Sequence, residues 1–195
     1  MTDHNDSDLS QRTDFGVERL SEFAGSDLYD LCDAAILAIK DGGGFGWVSP
    51  PPLESLERYY RGVLSVPGRE LFVARLDGVI CGSAQLVRPS PNNEAQAFAA
   101  TLASSFIAPW ARGHGLARMT VEAVEEAARD AAFDVLSLDV RETQKAAIEL
   151  YKSLGYRFWG RNPVYARVGG RLIAGVYYYK ALNPERVRVL EDGSG

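Results

Sequence analysis

Phe106-Ile107-Ala108-Pro109-Trp110-Ala111-Arg112-Gly113-His114-Gly115-Leu116-Ala117 joins the end of a β-prone run to the start of an amphipathic one, and it sets two glycines at the junction. The first four backbone N–H groups of a helix have no partner within it, and the helix dipole adds partial positive charge there. Gly113 and Gly115 leave that main chain without Cβ atoms, so a phosphate can approach it closely. The stretch is not a P-loop, because no GxxxxGK-Ser/Thr is present. Nor is it a dinucleotide fingerprint, because neither glycine nor alanine follows Gly115 three places on. A glycine-rich helix start that holds no ligand is the plainer alternative.

Working downstream, Leu116, Met119, Ala123, Val124, Ala127, Ala128 and Ala131 trace one helix face, with Arg118, Glu122, Glu125, Glu126 and Arg129 on the wet side. Val135–Val140 reads as a short buried strand. Ala147, Ile148, Tyr151 and Leu154 mark a further helix, ended by Gly155. Tyr165–Val168 and Arg171–Lys180 flank Gly169-Gly170 as a closing hairpin. Upstream, Phe98–Ile107 is a strand with Thr101, Ala103 and Ser105 expected on one face. Leu71–Leu76 and Val79–Val87 form a hairpin about Asp77-Gly78, whose residues accept the positive φ of a tight turn. Phe15, Val17 and Leu20 suggest a strand. Leu28–Ile39 and Leu53–Leu64 suggest helices, separated by a Gly42-Gly43-Gly44 and Pro50-Pro51-Pro52 linker that carries Phe45 and Trp47. That linker is either a mobile cover or a plain connection. The order predicts an α/β (α+β) domain over 14–182: a single mixed, mostly antiparallel sheet flanked by helices.

At 195 residues, 46% hydrophobic and 24% charged, the chain has a globular composition and needs no disulfide staples. No apolar run approaches the roughly 20 residues that cross a bilayer. The polar start MTDHNDSD does not resemble a secretory signal, so a cytoplasmic protein without membrane partners is expected. Cys32 and Cys81 read as buried, reduced thiols. Residues 1–30 hold eight acids against Arg12 and Arg19, which leaves the rest near neutral within a net charge of −5. A body without a basic stripe disfavours nucleic-acid partners. Residues 1–13 read as a flexible acidic tail and 183–195 as a loose polar end.

Arg112–Ala117 matches the Arg/Gln-x-x-Gly-x-Gly/Ala acyl-CoA signature, and Leu138–Tyr156 resembles the accompanying strand and Asn-x-x-Ala-x-x-Leu-Tyr-x-x-x-Gly-Phe helix, of the GNAT superfamily of N-acyltransferases. The resemblance implies the GNAT fold and an acetyl-CoA-dependent N-acetyltransferase acting on a small-molecule amine or, less readily, a protein, with no metal. In that family the strand before the signature bulges and splays from the next one. This assigns pantetheine contacts to Phe106 and Ile107, and the pyrophosphate to the amides of Arg112, Gly113, His114, Gly115, Leu116 and Ala117. Gln144 stands where the family has Asn, as a cofactor contact. The resemblance makes Tyr151 the catalytic donor to the coenzyme A thiolate; a core aromatic is its plainer reading.

An alkyl amine is neutral in only about one molecule in a thousand near pH 7.4, so the reaction needs a route for that proton. The strand Phe98–Ile107 lacks the Glu that many relatives place there as base. Glu94, Asp139 and a water chain through Ser105 are the candidates, each with a plain solvated alternative. The acceptor is expected between residues 42–52 and the Trp159–Lys180 region, with Tyr165, Tyr177, Tyr178 and Tyr179 as aromatic walls or as the seam of a homodimer. A non-catalytic acyl-CoA-binding module is the rival to the enzyme.

Overall fold

The structure, a computed structural model, describes residues 13–43 and 45–187. The expected tails lie outside these, except for Thr13 and residues 183–187, as does Gly44 of the linker. The elements are β1 (Phe15–Leu20), α1 (Asp27–Lys40), α2 (Leu53–Ser65), β2 (Arg69–Leu76), β3 (Val79–Val87), β4 (Ala99–Ile107), α3 (Leu116–Asp130), β5 (Val135–Arg141), α4 (Lys145–Ser153), β6 (Arg157–Val168) and β7 (Arg171–Ala181). All seven strands join one sheet in the order β1-β2-β3-β4-β5-β7-β6, antiparallel throughout except between β4 and β5.

The local chemistry explains most boundaries. Asp77 and Gly78 take φ of 49° and 83°, which turns β2 into β3 in two residues. α1 ends where the amides of Gly42 and Gly43 fold back on Ile39 O and Ala38 O. One expectation falls short: β6 starts at Arg157 and not at Tyr165. Its register against β7 shifts at Phe158/Gly160 and again at Asn162/Ala166, and these bulges erase the period-two alternation by which a strand is read.

The two sheet faces are covered unequally. α3 and α4 bury Val121, Val124, Ile148, Tyr151 and Leu154 against Leu86, Leu102, Leu136 and Val176 on one face. Glu125, nearly buried on α3, accepts from Lys180 on β7 at 2.6 Å and from Arg129 at 3.0 Å, so its charge is matched where it leaves water. On the other face α1 and α2 pack over Leu71, Val73, Ile80 and Phe106, all on β2–β4. Asp139, Tyr177 and Trp159 of β5, β7 and β6 therefore remain at least partly open on that side.

Candidate active site

β4 and β5 are paired only at Ala99–Val135, Ala100–Leu136 and Thr101–Ser137. Beyond that point the two strands diverge, and the edges of Leu102–Ile107 and Leu138–Arg141 that face each other carry no strand partner. A bulge accompanies the divergence. β4 gains one residue relative to β3 between the partners of Ser83 and Gln85, and Ser104 takes a φ of 52° there. The extra residue reverses the alternation. Thr101 and Ala103 face away from α4, as expected from sequence, but Ser105 does not share their face: it bonds toward the Tyr151 hydroxyl on α4. Ser104 instead meets the Tyr59 hydroxyl of α2 at 3.3 Å.

The double-glycine junction follows β4 directly. Gly113 and Gly115 take φ of 90° and 76°, Gly115 is the N-cap of α3, and no side chain caps that end. Among the described residues the amides of Gly113, His114, Gly115, Leu116, Ala117 and Arg118 find no acceptor within the chain. A Cβ on either glycine would meet only open space, so the ground above these amides is empty. The arrangement suits an anion: several unsatisfied donors converge at the positive end of a 15-residue helix. His114 turns its ring away, with Nδ1 3.3 Å from Ala111 O, and so contributes its main chain alone. Arg112 pairs with Asp41 at 2.7 Å, half-exposed on both sides, a contact worth at most about 1 kcal/mol.

Tyr151 stands on the α4 side of the gap, buried, edge-on to Tyr156 at 5.7 Å. Burial pushes its phenol up to about 12; the Ser105 hydroxyl opposes part of that shift and the Asp139 charge adds to it. The phenol keeps its proton at any physiological pH. Phe106 and Ile107, nearly buried, end the splayed part of β4, and Phe106 stacks on Phe45 at 4.7 Å.

The α1–α2 loop lies across the same gap. Gln144 donates its amide to Gly42 O at 2.7 Å, and Arg141 donates to Trp47 O at 3.0 Å. Trp47 packs edge-on to both Phe45 and Tyr59, so the linker is anchored here by its aromatics and by two side chains from β5 and the start of α4. Two of the expected cofactor contacts, Arg112 and Gln144, thus hold this loop.

The remaining candidates separate. Glu94 is exposed in a 3-10 turn before β4, at the opposite end of that strand from the glycines. Asp139 lies on the open face beside the gap and accepts from the Tyr165 hydroxyl. Tyr178, expected among the walls, points into the core beneath α4 and is buried there; Tyr165, Tyr177 and Trp159 form the exposed row. Sequence reading missed one network: Gln85, fully buried, donates to Tyr59 Oη at 2.9 Å and accepts from Arg69 at 3.1 Å. A lone amide within the apolar run Ala84–Val87 was its signal. Among the described residues no cluster of metal-ligating side chains occurs, and no helix is long and apolar enough to cross a membrane.

Residues 37–156 match the model of the acetyltransferase (GNAT) family. A protein of Azospirillum brasilense known as an uncharacterized N-acetyltransferase in the hisH-hisA intergenic region is 66% identical over 133 residues, 68% of this chain and 79% of that protein. Among solved structures, a ribosomal-protein-alanine N-acetyltransferase from Brucella melitensis superposes with a TM-score of 0.70 at 22% identity, covering 85% of this chain and 98% of its own. A putative acetyltransferase from Salmonella typhimurium, solved with its cofactor acetyl-CoA, gives 0.67 at 18% over 90% and 98%. A phosphinothricin acetyltransferase from Sinorhizobium meliloti, in complex with acetyl-CoA, gives 0.72 at 16% over 92% and 94%. At these identities the solved structures speak for the fold.

Proposed function

The chain belongs to the GNAT family of acetyltransferases, and from that premise we propose that it moves the acetyl group of acetyl-CoA to the primary amine of a small molecule. The observation that carries this reading is the set of unsatisfied amides from Gly113 to Arg118 at the mouth of the β4–β5 gap. A diphosphate fits that donor set, and the pantetheine arm then follows the unpaired edge of β4 past Phe106 and Ile107 toward Ser105 and Tyr151. Gln144 and Arg112 join the cofactor by exchanging their contacts with Gly42 and Asp41.

Acetyl-CoA supplies an activated thioester. The chain supplies position and one proton-bearing group at the sulfur. At reference values, full proton transfer from a phenol to a thiolate is uphill by about 2 kcal/mol. With the Tyr151 phenol at about 12 it is uphill by about 5 kcal/mol. Tyr151 therefore acts as a hydrogen-bond donor that holds the developing negative charge on sulfur, and the thiolate takes its proton from water after release. The Ser105 hydroxyl beside Tyr151 orients that donor.

The lack of a carboxylate on β4 favours one second reading, an acyl-CoA-binding module without transfer. Calorimetric titration with acetyl-CoA beside a free-thiol assay over a panel of amines separates the two. Binding with amine-dependent thiol release is the expected result; binding with no release from any amine supports the module; no binding removes both.

A further inference from the structure

Asp139, Tyr165 and Gly175 come from three strands and meet at one point on the open face of the sheet. β6 advances from Asn162 to Ala166 while β7 advances only from Gly175 to Ile173. Such a bulge re-aims a side chain. The Tyr165 ring swings across Gly175, where any Cβ would collide with it, and its hydroxyl donates to Asp139 Oδ2 two strands away. Tyr177, the cross-strand partner of Asp139, lies 6.2 Å from the Tyr165 ring and 5.3 Å from Trp159, so an aromatic row borders the carboxylate. Asp139 stands beyond the last β4–β5 pair, is exposed, and is near enough for its charge to act on the Tyr151 phenol. Arg141, next along the same face of β5, holds the carbonyls of Gly42 and Trp47.

We infer that Asp139, aimed by Tyr165, binds the ammonium of the acceptor and takes the proton that its nitrogen gives up during attack, and that this acceptor is a cationic primary amine with an aromatic or apolar body. The inference rests on the amine acetylation proposed above and adds the group that β4 lacks. Tyr165 occupies one carboxylate oxygen and leaves the other toward the gap. A flat body stacks on Tyr177 and Trp159, whose π faces also favour a cation. The amine arrives as R–NH3+. One proton passes from nitrogen to the Asp139 carboxylate, and the freed lone pair forms the C–N bond at the acetyl carbonyl carbon. The C–S bond breaks, and its electron pair stays on sulfur beside Tyr151. Asp139 then returns its proton to solvent across its exposed side. Base and leaving-group donor thus flank the gap from opposite sheet faces.

Asp139→Asn keeps the shape and the bond from Tyr165 but removes the charge. It is expected to lower kcat/KM for cationic amines by about 10²- to 10³-fold, with the acetyl-CoA Kd unchanged within about twofold. Hydroxylamine, uncharged at neutral pH, should lose less than about tenfold. Tyr165→Phe, a change in a positioning residue, should cost about tenfold in the parent and nothing further in the Asp139→Asn background. Equal activity of Asp139→Asn and parent, an equal loss with hydroxylamine, or an undiminished Tyr165→Phe effect in the double variant overturns the inference. If the parent chain acetylates no amine, the functional reading falls and takes this inference with it; if the parent is active and Asp139→Asn matches it, the inference falls alone.

Discussion

Strands β1–β4 are covered on both faces, by α1 and α2 on one side and α3 on the other, whereas β5, β7 and β6 are left largely open on the α1–α2 side. The halves meet through three residue pairs between β4 and β5 and then part. The enclosed half offers the gap mainly main-chain groups, since its side chains are committed to the core. The open half can leave Asp139, Tyr177 and Trp159 in reach of solvent because no helix needs that face. A transfer between two substrates uses both kinds of surface: a fixed backbone for the phosphates, and side chains for the acceptor.

Breaking the backbone contribution should have the largest effect. Gly115→Asp puts an L residue at φ 76° and a negative charge among the free amides. The acetyl-CoA Kd is expected to rise about 10³-fold by calorimetry, and unchanged affinity in a folded variant would mean the phosphates sit elsewhere. Next comes the joint itself. Leu136→Ala removes a fully buried side chain where the halves are paired, and it should lower unfolding free energy in urea by about 3 kcal/mol, while Phe158→Ser on exposed β6 stays within about 0.5 kcal/mol.

Tyr151→Phe sharpens the comparison from the core side. Its kcat should fall about 10²-fold with the acetyl-CoA Kd unchanged; an unaltered turnover would leave Tyr151 a core aromatic. The same variant tests the shifted phenol. An unfolded tyrosine ionises near 10 and the folded one near 12, so the stability from the protonated phenol is complete below about pH 10 and is lost as pH rises toward 12. Between about pH 9.5 and 11 the parent should lose about 1 kcal/mol more than Tyr151→Phe in urea titrations. The smallest effect belongs to the exposed pair: Asp41→Asn frees Arg112 for the diphosphate and should tighten acetyl-CoA by about threefold or less, as a rise in salt would also show.

The glycine junction, the α4 helix with Tyr151 and the hairpin about Asp77-Gly78 were legible because each is local: a φ requirement, a helical period or a turn dipeptide lies within a few adjacent residues. Ser105 and β6 were misread because bulges at Ser104 and Asn162/Ala166 change the phase of a strand, and only the partner strand registers that change. Tyr178 was assigned to a wall that its side faces away from for a related reason, since the face of a strand is fixed by what packs on it.

By itself the sequence determined the fold, the anion-binding helix start and the phenol on α4, because periodicity, glycine placement and spacing encode them within short windows. Tertiary structure alone decided how Arg112 and Gln144 are engaged by the α1–α2 loop, and how Tyr165 crosses Gly175 to reach Asp139. Those contacts join residues far apart in the chain, and their geometry depends on strand order and register, which no local pattern of residues specifies.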